Sequence, residues 1–453
     1  MKILVISHMY PSAQNQAYGI FVHKQVKALK EQGLEVKVVS PVPYAPWPLN
    51  ILKKKWRSYA AIPHKDTIEG IEVYYPRYLE FPRSILMEYS GSFMYLGCRG
   101  LIKRLAAEFP FDLIHAHVAL PDGQAASLLK RDYGVPVVVT VHGQDFQSTF
   151  HRSKRLRARL TEVLGKVDKI ITVSTKLKRM VEDQPYASKI EVINNGINLE
   201  DIENIKDINE DINKQSVLAT GPLHENSHEN SLGNSQESSQ NDSLDTTLDS
   251  SLGNSLDSSL DSSLDNSFET GSKEIRILSV ANLKKTKGLD LNIKALATLS
   301  SKYPGLRYYI VGDGEERENL EDLVAKLNFK QKVVFLGKLT HSETMAQMAA
   351  ADIFSLPSWQ EGFGVVYIEA MAQGIPVIGV KGEGIEDVIK HGENGLLVEP
   401  CNVEDLTNAL DLLLSNPAYA SRLAQAGRET VINGFTWTHN ARKTKALYQN
   451  LLS

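Results

Sequence analysis

Two glutamates, Glu361 and Glu369, stand eight residues apart around the glycine-rich stretch E-G-F-G-V-V-Y-I-E. The missing side chains of Gly362 and Gly364 would leave backbone N–H groups free at the start of a helix, where they favour an anion such as a diphosphate. Along a continuous helix, eight residues would place Glu369 about 12 Å beyond Glu361, on roughly the same side. The two carboxylates could then hold hydroxyl groups at opposite ends of a nucleotide sugar. The alternative is an amphipathic helix with two solvated glutamates, and the neighbouring motifs decide between the two.

Three histidines follow apolar strand patterns in the first half of the chain. His115 and His117 alternate in D-L-I-H-A-H and therefore point to one face of a strand. No carboxylate or cysteine joins them at ligand spacing, so we interpret them as cleft-lining or packing residues rather than as a metal site. His142 ends the run V-P-V-V-V-T-V-H and is followed by Gly143. By itself, a histidine in such a place is more often structural than catalytic.

Short β-branched runs alternate with helical patterns along most of the chain, which is typical of parallel sheets covered on both faces. The sequence predicts helices that include residues 20–32, 124–131, 151–165, 288–301, 317–327 and 385–390. The expected fold class is α/β, with two doubly wound Rossmann-like domains over residues 1–204 and 273–453. Ligands bind beyond the carboxyl ends of the strands in such sheets, so a ligand between the domains would face both sets of strand ends. The last helix could cross back to the first domain.

The segment between the two domains, residues 205–272, has a different composition. Its part from 221 to 272 carries ten Asp or Glu and no Lys or Arg. The whole chain has a formal charge of −4, and the chain without this part would carry +6. Apolar residues recur every four positions from Leu244 to Phe268, a step that overshoots the helical repeat by about 40°. Serine, asparagine and aspartate also compete with the helical backbone for hydrogen bonds. We predict a disordered, low-complexity acidic insertion, with a partner-binding segment as the alternative.

The overall composition excludes several classes of protein. The chain has 453 residues, of which 42% are hydrophobic, and this is typical of a globular protein. Its opening run M-K-I-L-V-I-S is too short for a signal-peptide core and predicts a first strand. Cys98 and Cys401 stand far apart and predict neither a disulfide framework nor a thiolate metal site. We expect a cytoplasmic protein that binds no nucleic acid, since a recognition motif is missing and the net charge is slightly acidic.

Taken together, the motifs resemble those of the retaining GT-B glycosyltransferases of family four, which include polysaccharide-assembly enzymes. Before the insertion the resemblance rests on Y-G-I-F-V, H-A-H, T-V-H-G-Q-D and V-I-N-N-G-I-N. After it the motifs are V-A-N-L-K-K-T-K-G, V-G-D-G, L-P-S-W-Q-E-G-F-G-V-V-Y-I-E-A-M-A-Q-G-I-P-V-I and G-E-N-G-L-L-V. Their order and spacing make the resemblance specific over essentially the whole chain apart from the insertion. It implies the GT-B fold, with a nucleoside diphosphate sugar donor bound mainly by the second domain.

The resemblance also implies roles for individual residues. It places the donor sugar at Glu361 and the neighbouring amides, the ribose at Glu369, the diphosphate at Lys287, and His142 close to the transferred sugar. The donor-binding candidates are Gly19, Asn282, Lys287, Glu361, Gly362, Phe363, Gly364 and Glu369. The catalytic candidates are Glu361, His142 and Lys287. The acceptor-side candidates are His142, Asp145 and His117, where Asp145 would either orient His142 or contact the acceptor. The missing side chain of Gly19 would let the backbone approach a phosphate.

Asn282 departs from the family pattern, because an arginine is usual at this position, and Ala281 stands where a glycine is common. Arginine offers two parallel charged donors and asparagine at most a neutral one. We therefore predict a diphosphate clamp that is weaker or is completed by Lys284 or Lys285. The resemblance further implies transfer without a metal, and the sequence agrees in containing no D-x-D. No cofactor is expected, so fixed protein donors must neutralise the leaving diphosphate.

The predicted function is that of a metal-independent retaining glycosyltransferase acting on a carbohydrate or lipid-linked carbohydrate acceptor in cell-surface polysaccharide assembly. A GT-B nucleotide-sugar epimerase is the enzymatic alternative. A catalytically weak sugar-nucleotide-binding scaffold is the other alternative, suggested by Asn282 and the long insertion. Two basic stretches, residues 151–165 and 53–57, are either solvated surfaces or regions attracted to the anionic inner face of the membrane.

Overall fold

The computed structural model describes residues 1–48, 51, 53–81, 85–201 and 273–453. In these ranges the chain forms two α/β domains, each built on its own sheet, and the expected fold class is confirmed. The first domain contains the strands β1 (Lys2–Ile6), β2 (Glu35–Val39), β3 (Val42–Pro43), β4 (Lys65–Ile68), β5 (Ile71–Tyr74), β6 (Arg77–Tyr78), β7 (Leu113–His117), β8 (Val137–Val141), β9 (Lys169–Thr172) and β10 (Ile190–Val192). The second contains β11 (Ile275–Val280), β12 (Leu306–Val311), β13 (Val333–Gly337), β14 (Ile353–Ser355), β15 (Val377–Val380) and β16 (Leu396–Val398).

The two main sheets have the strand orders of doubly wound folds. Among the described residues, the first runs β10-β9-β8-β7-β1-β2-β5-β4 and the second β13-β12-β11-β14-β15-β16. Every neighbouring pair is parallel except β4 and β5, which form an antiparallel edge. The inner strand β8, V-V-V-T-V, is buried along its whole length. Continuous β-branched runs of this kind are expected where helices cover both faces of a sheet.

Helices cover the sheets and lie close to the positions that the sequence predicts. In the first domain they are α1 (Ile20–Glu31), α2 (Lys54–Ala61), α3 (Ser90–Glu108), α4 (Gln124–Tyr133), α5 (Phe150–Arg152), α6 (Lys154–Lys166) and α7 (Thr175–Arg179). In the second they are α8 (Leu289–Leu299), α9 (Arg317–Lys326), α10 (His341–Ala349), α11 (Val365–Ala372), α12 (Val403–Ser415), α13 (Pro417–Gly434) and α14 (Trp437–Leu452). No helix within the described ranges is both long enough and apolar enough to cross a membrane.

Two helix predictions were wrong in detail. Residues 151–165 do not form one helix, because the backbone of Ser153 is extended and its side chain accepts a hydrogen bond from the N–H of Leu156, which starts α6 afresh. In place of the helix predicted over residues 385–390, the chain forms a short 3-10 turn, Gly384–Asp387. The predicted acidic insertion lies outside the described residues.

A left-handed glycine opens the first helix of each domain. Gly19 before α1 and Gly288 before α8 both have φ +69°, a conformation that costs other residues free energy. A Cβ atom on Gly19 would lie 2.3 Å from the carbonyl of Met9, and one on Gly288 would lie 2.3 Å from the carbonyl oxygen of Pro357. Glycine is therefore required at both positions for the backbone segments to approach one another.

The last helix, α14, packs on the first domain. The amide of Gln25 on α1 donates to Asn440 at 2.7 Å, and Lys445 donates to the carbonyl oxygen of Gln32 at 2.7 Å. The hydroxyl of Tyr448 lies 2.6 Å from Nδ1 of His115 on β7. The C-terminal end of the chain thus belongs to the core of the first domain as well as following the second.

Candidate active site

The E-G-F-G segment is a loop that precedes a helix. Gly364 has φ +92° and forms the N-terminal cap of α11, which begins at Val365. A Cβ atom on Gly364 would lie 2.6 Å from the ring of Tyr367, so the cap must be glycine. Glu361 consequently lies outside the helix, and the prediction that helix geometry fixes its distance from Glu369 was wrong. The left-handed glycine lets the chain turn sharply before the helix starts.

Glu361 forms an ion pair with Lys287 inside the second domain. The distance from Lys287 Nζ to Glu361 Oε2 is 2.5 Å, and the side chains are 19% and 17% exposed. Lys287 ends the 3-10 turn Lys285–Lys287. The neighbouring close approach of Gly288 to Pro357 holds this turn against the loop that leads to Glu361. A cation and a carboxylate predicted to bind the two halves of a sugar diphosphate therefore lie side by side.

The E-G-F-G loop also touches the first domain. The hydroxyl of Ser174 donates to the carbonyl oxygen of Gly362 at 2.6 Å, and the amide of Gln147 donates to that of Glu361 at 3.2 Å. A Cβ atom on Gly362 would lie 2.8 Å from the carbonyl oxygen of His142. The predicted donor loop and the predicted reaction-centre histidine are thus brought together by tertiary contact.

A second carboxylate, that of Glu383, holds the E-G-F-G loop in place. It is 8% exposed, accepts a hydrogen bond from the N–H of Glu361 at 2.6 Å, and pairs with Lys176 of the first domain. Nearby, Asp387 accepts hydrogen bonds from the N–H of Thr175 and the side chain of Asn194, both at 2.8 Å. The sequence motifs did not predict these contacts. The only local signal was a glutamate between two glycines, G-E-G, at a strand end.

Three neighbouring histidines lead to the loop, of which His115 and His117 are buried and His142 is partly exposed. Nδ1 of His117 and Nε2 of His142 are 3.0 Å apart, and the two rings are nearly parallel. The rings of His115 and His117 have centroids 4.5 Å apart and are tilted by 32°, so the two side chains lie on one face of β7 as their alternation predicted. Burial lowers the pKa of His142 to about 3, and it holds that of His117 well below the ordinary value. Both rings are therefore neutral at pH 7 and act as hydrogen-bonding groups, with His117 orienting His142.

Asp145 does not orient His142, so one of its two predicted roles was wrong. Its Oδ1 accepts a hydrogen bond from the N–H of Ala119 at 3.1 Å. Its Oδ2 is buried and has no hydrogen-bond partner among the described residues. Burial raises the pKa of Asp145 to about 7, and hydrogen bonds from the N–H groups of Ala119 and Leu120 oppose this. The carboxylate is left with a free oxygen.

The remaining donor candidates differ in burial and in their neighbours. Glu369 is on α11, where burial raises its pKa and the charges of His341 and Lys24 oppose the rise. Asn282, Lys284 and Lys285 are exposed. Phe363 is buried and stacks on Phe435. The packing of Gly19 against Met9 explains its residue type, and its predicted approach to a phosphate stays a prediction.

Two family models match the chain. Residues 19–201 match the model described as Glycosyltransferase Family 4, and residues 262–430 match the one described as Glycosyl transferases group 1. The first match falls on the first domain and the second covers most of the second domain. Together the two matches cover parts of both domains.

Similar proteins extend over the full length of the chain. The putative teichuronic acid biosynthesis glycosyltransferase TuaC of Bacillus subtilis is 25% identical over 452 residues, which are 100% of this chain and 99% of TuaC. Sucrose-phosphate synthase from Thermosynechococcus elongatus has a similar structure, with a TM-score of 0.69, 21% identity, and 100% and 99% of the two chains covered. HepE of Anabaena, solved in complex with UDP-glucose, gives a TM-score of 0.63 at 17% identity, covering 99% of this chain and 100% of HepE. With both family matches, these similarities show that the chain belongs to the group 1 and family 4 glycosyltransferases and has the GT-B fold.

Proposed function

We propose that the protein transfers a sugar, with retention of anomeric configuration and without a metal, from a nucleoside diphosphate sugar to a carbohydrate hydroxyl. The observation that carries the proposal is the Lys287–Glu361 ion pair, on a loop whose Gly362 packs against His142. Glu361 and the amides of Phe363 and Gly364 hold the donor sugar, and Glu369 holds the ribose. Lys287, with Lys284 or Lys285, faces the diphosphate.

In the proposed reaction the bond between the anomeric carbon and the diphosphate oxygen breaks, and a bond to the acceptor oxygen forms on the same face. The leaving diphosphate takes the acceptor proton and departs with the electron pair of the broken bond. Its charge is stabilised by Lys287 and by loop amides that are already in place, which is electrostatic preorganisation. The neutral His142 binds the transferred sugar by hydrogen bonding and does not have to take up a second proton.

The biological setting that we propose is cell-surface polysaccharide assembly, with a carbohydrate or lipid-linked carbohydrate as acceptor. The support is the full-length similarity to TuaC, whose name refers to teichuronic acid biosynthesis. HepE was solved with UDP-glucose bound, which supports a nucleoside diphosphate sugar as the donor class. The nucleotide base and the sugar of the donor are to be identified with a panel of donors.

The test is a panel of UDP-, GDP- and ADP-sugars. A ligand at 100 times its dissociation constant adds about 2.7 kcal/mol to the free energy of unfolding, so one member should raise the melting temperature clearly. NMR of the product formed from that donor should show the anomeric configuration of the donor. Failure of every nucleotide sugar to stabilise the protein would contradict the proposal, inversion would contradict the mechanism, and free epimerised donor would identify an epimerase.

Metal removal should leave activity unchanged. The chain contains no D-x-D, and the proposed diphosphate contacts are lysine and backbone donors. We expect the same transfer rate, within error, in EDTA and in buffer with magnesium or manganese. A rate that EDTA abolishes and manganese restores would show that a metal neutralises the diphosphate. A manganese-dependent glycosyltransferase assayed in parallel confirms that the chelator is effective.

We also propose that the protein works in the cytoplasm and contacts the inner face of the membrane peripherally. Lys154, Arg155 and Arg157 on α6 are exposed, and so are the lysines and the arginine of the stretch 53–57. Basic residues near an anionic surface contribute about 1 kcal/mol each. We expect sedimentation with phosphatidylglycerol vesicles, weaker sedimentation with phosphatidylcholine vesicles, and loss of the difference in Lys154→Glu/Arg155→Glu. Equal sedimentation with both lipids would refute the contact.

The acidic insertion is proposed to be dispensable for folding and chemistry. Residues 1–201 and 273–453 supply both sheets and all the proposed site residues, and each doubling of a flexible loop adds only about 0.6 kcal/mol of closure entropy. Replacing residues 215–270 by a short Gly/Ser linker should keep the melting temperature and the turnover of a soluble acceptor within error. An insoluble or inactive deletion variant would assign this segment a structural role.

A further inference from the structure

Two neighbouring cavities open in the first domain beside the proposed reaction centre. The smaller, of about 290 Å³, is lined by Gln144 and Asp145, which follow His142 and Gly143 in the chain. The larger has a volume of about 830 Å³. His8, Tyr78 and Glu80 line both cavities, so these three side chains form the boundary between them. The two spaces are therefore adjacent parts of one groove.

His8 lines the smaller cavity and is held by a buried carboxylate behind it. Both carboxylate oxygens of Asp122, which is fully buried, are engaged by His8: Oδ1 accepts from its N–H at 3.2 Å and Oδ2 lies 2.8 Å from its Nδ1. His8 Nε2 remains available, and the His8 side chain is 25% exposed. On the same cavity, the buried Oδ2 of Asp145 has no partner among the described residues. An unpaired buried oxygen costs free energy unless a ligand or water supplies a hydrogen bond.

The larger cavity has the lining expected of a sugar-binding surface. Aromatic side chains, including Tyr59 and Tyr78, stand beside hydroxyl and amide groups such as those of Ser12, Gln14 and Asn15. Aromatic rings can cover the apolar face of a pyranose while neighbouring polar groups bind its hydroxyls. Its volume, nearly three times that of the smaller cavity, provides room beyond the sugar at the reaction centre.

We propose that this groove binds an oligosaccharide acceptor of at least two sugar residues, with His8 and Asp145 contacting the terminal sugar in the smaller cavity and the larger cavity holding the preceding sugars. Asp122 is a positioning residue that fixes the orientation of His8. The enzyme would therefore extend glycan chains and not begin them on a single sugar. This inference rests on the proposed function, because it assigns the acceptor class of the same site.

The test measures binding of mono-, di- and trisaccharides of glucose, galactose, mannose, N-acetylglucosamine and glucuronic acid to the full-length protein by calorimetry. In at least one series the trisaccharide should bind at least about tenfold more tightly than the monosaccharide, which corresponds to about 1.4 kcal/mol. Tyr59→Ala and Gln14→Ala, both in the larger cavity, should remove most of this gain and leave monosaccharide affinity unchanged. Gln16→Ala is the matched control, since Gln16 is exposed on the same loop but does not line the cavity. His8→Ala should weaken binding of every length.

Three results would overturn the inference: equal affinity for all lengths, a gain that survives Tyr59→Ala and Gln14→Ala, or no binding by any sugar of the panel. Stabilisation by the nucleotide-sugar panel is measured on the same samples. Donor binding without the expected glycan binding would overturn the acceptor groove alone. Absence of donor binding would instead count against the proposed function.

Discussion

Glu361→Gln and Lys287→Ala should each lower the rate of sugar transfer at least about a hundredfold, which corresponds to roughly 3 kcal/mol of transition-state stabilisation. The Glu361→Gln variant loses a charged contact with the donor sugar. The Lys287→Ala variant loses the contact with the departing diphosphate. Because the two side chains form a 2.5 Å ion pair, removing either one also releases the other from its position. The combined variant should therefore lose less activity than the product of the two single losses.

The measurement is initial-rate kinetics with the donor identified by thermal stabilisation, accompanied by melting temperatures. Glu393→Gln and Lys326→Ala are matched controls, because both residues are exposed and neither belongs to the proposed site. The controls should keep wild-type turnover, and all four single variants should stay folded. Wild-type turnover in Glu361→Gln and Lys287→Ala would remove both residues from the site.

Gly384→Ala should also abolish most activity, although Gly384 contacts no substrate in the proposed mechanism. A Cβ atom at this position would lie 2.3 Å from the carbonyl oxygen of Gly362 and 2.7 Å from Cα of Phe363. The E-G-F-G loop must shift to make room, and a misplacement of about 1 Å can cost about a hundredfold in rate. We expect that loss in transfer rate, together with about 1 to 3 kcal/mol of destabilisation from overpacking.

Gly165→Ala provides the control for this variant. Gly165 lies in α6, and a Cβ atom there would meet nothing within 4 Å, so alanine should be neutral or slightly stabilising. Transfer rates and melting temperatures of the two variants are compared under the same conditions. Normal turnover in Gly384→Ala would show that the position of the loop tolerates displacement and that its packing against Gly384 does not control catalysis.

The sequence by itself determined the two-domain α/β fold. Continuous β-branched runs such as V-V-V-T-V predict parallel strands buried on both faces, and the periodicity of the helices places them between the strands. These are local patterns, because hydrophobic periodicity and backbone preference act over a few residues. The positions of most helices followed from these local patterns. The family resemblance followed from the order and spacing of the motifs.

Only the tertiary structure decided how the site is assembled. Gly364 turns the chain before α11, which removes Glu361 from the helix and leaves it beside Lys287. Residues far apart in the chain hold this arrangement, including Ser174 against Gly362 and His117 against His142. Spacing along the chain cannot predict such contacts, because they depend on how separate strands and loops pack in space. The helices and strands were therefore predictable from the sequence, whereas the partners of the proposed catalytic side chains were set by packing between elements and between domains.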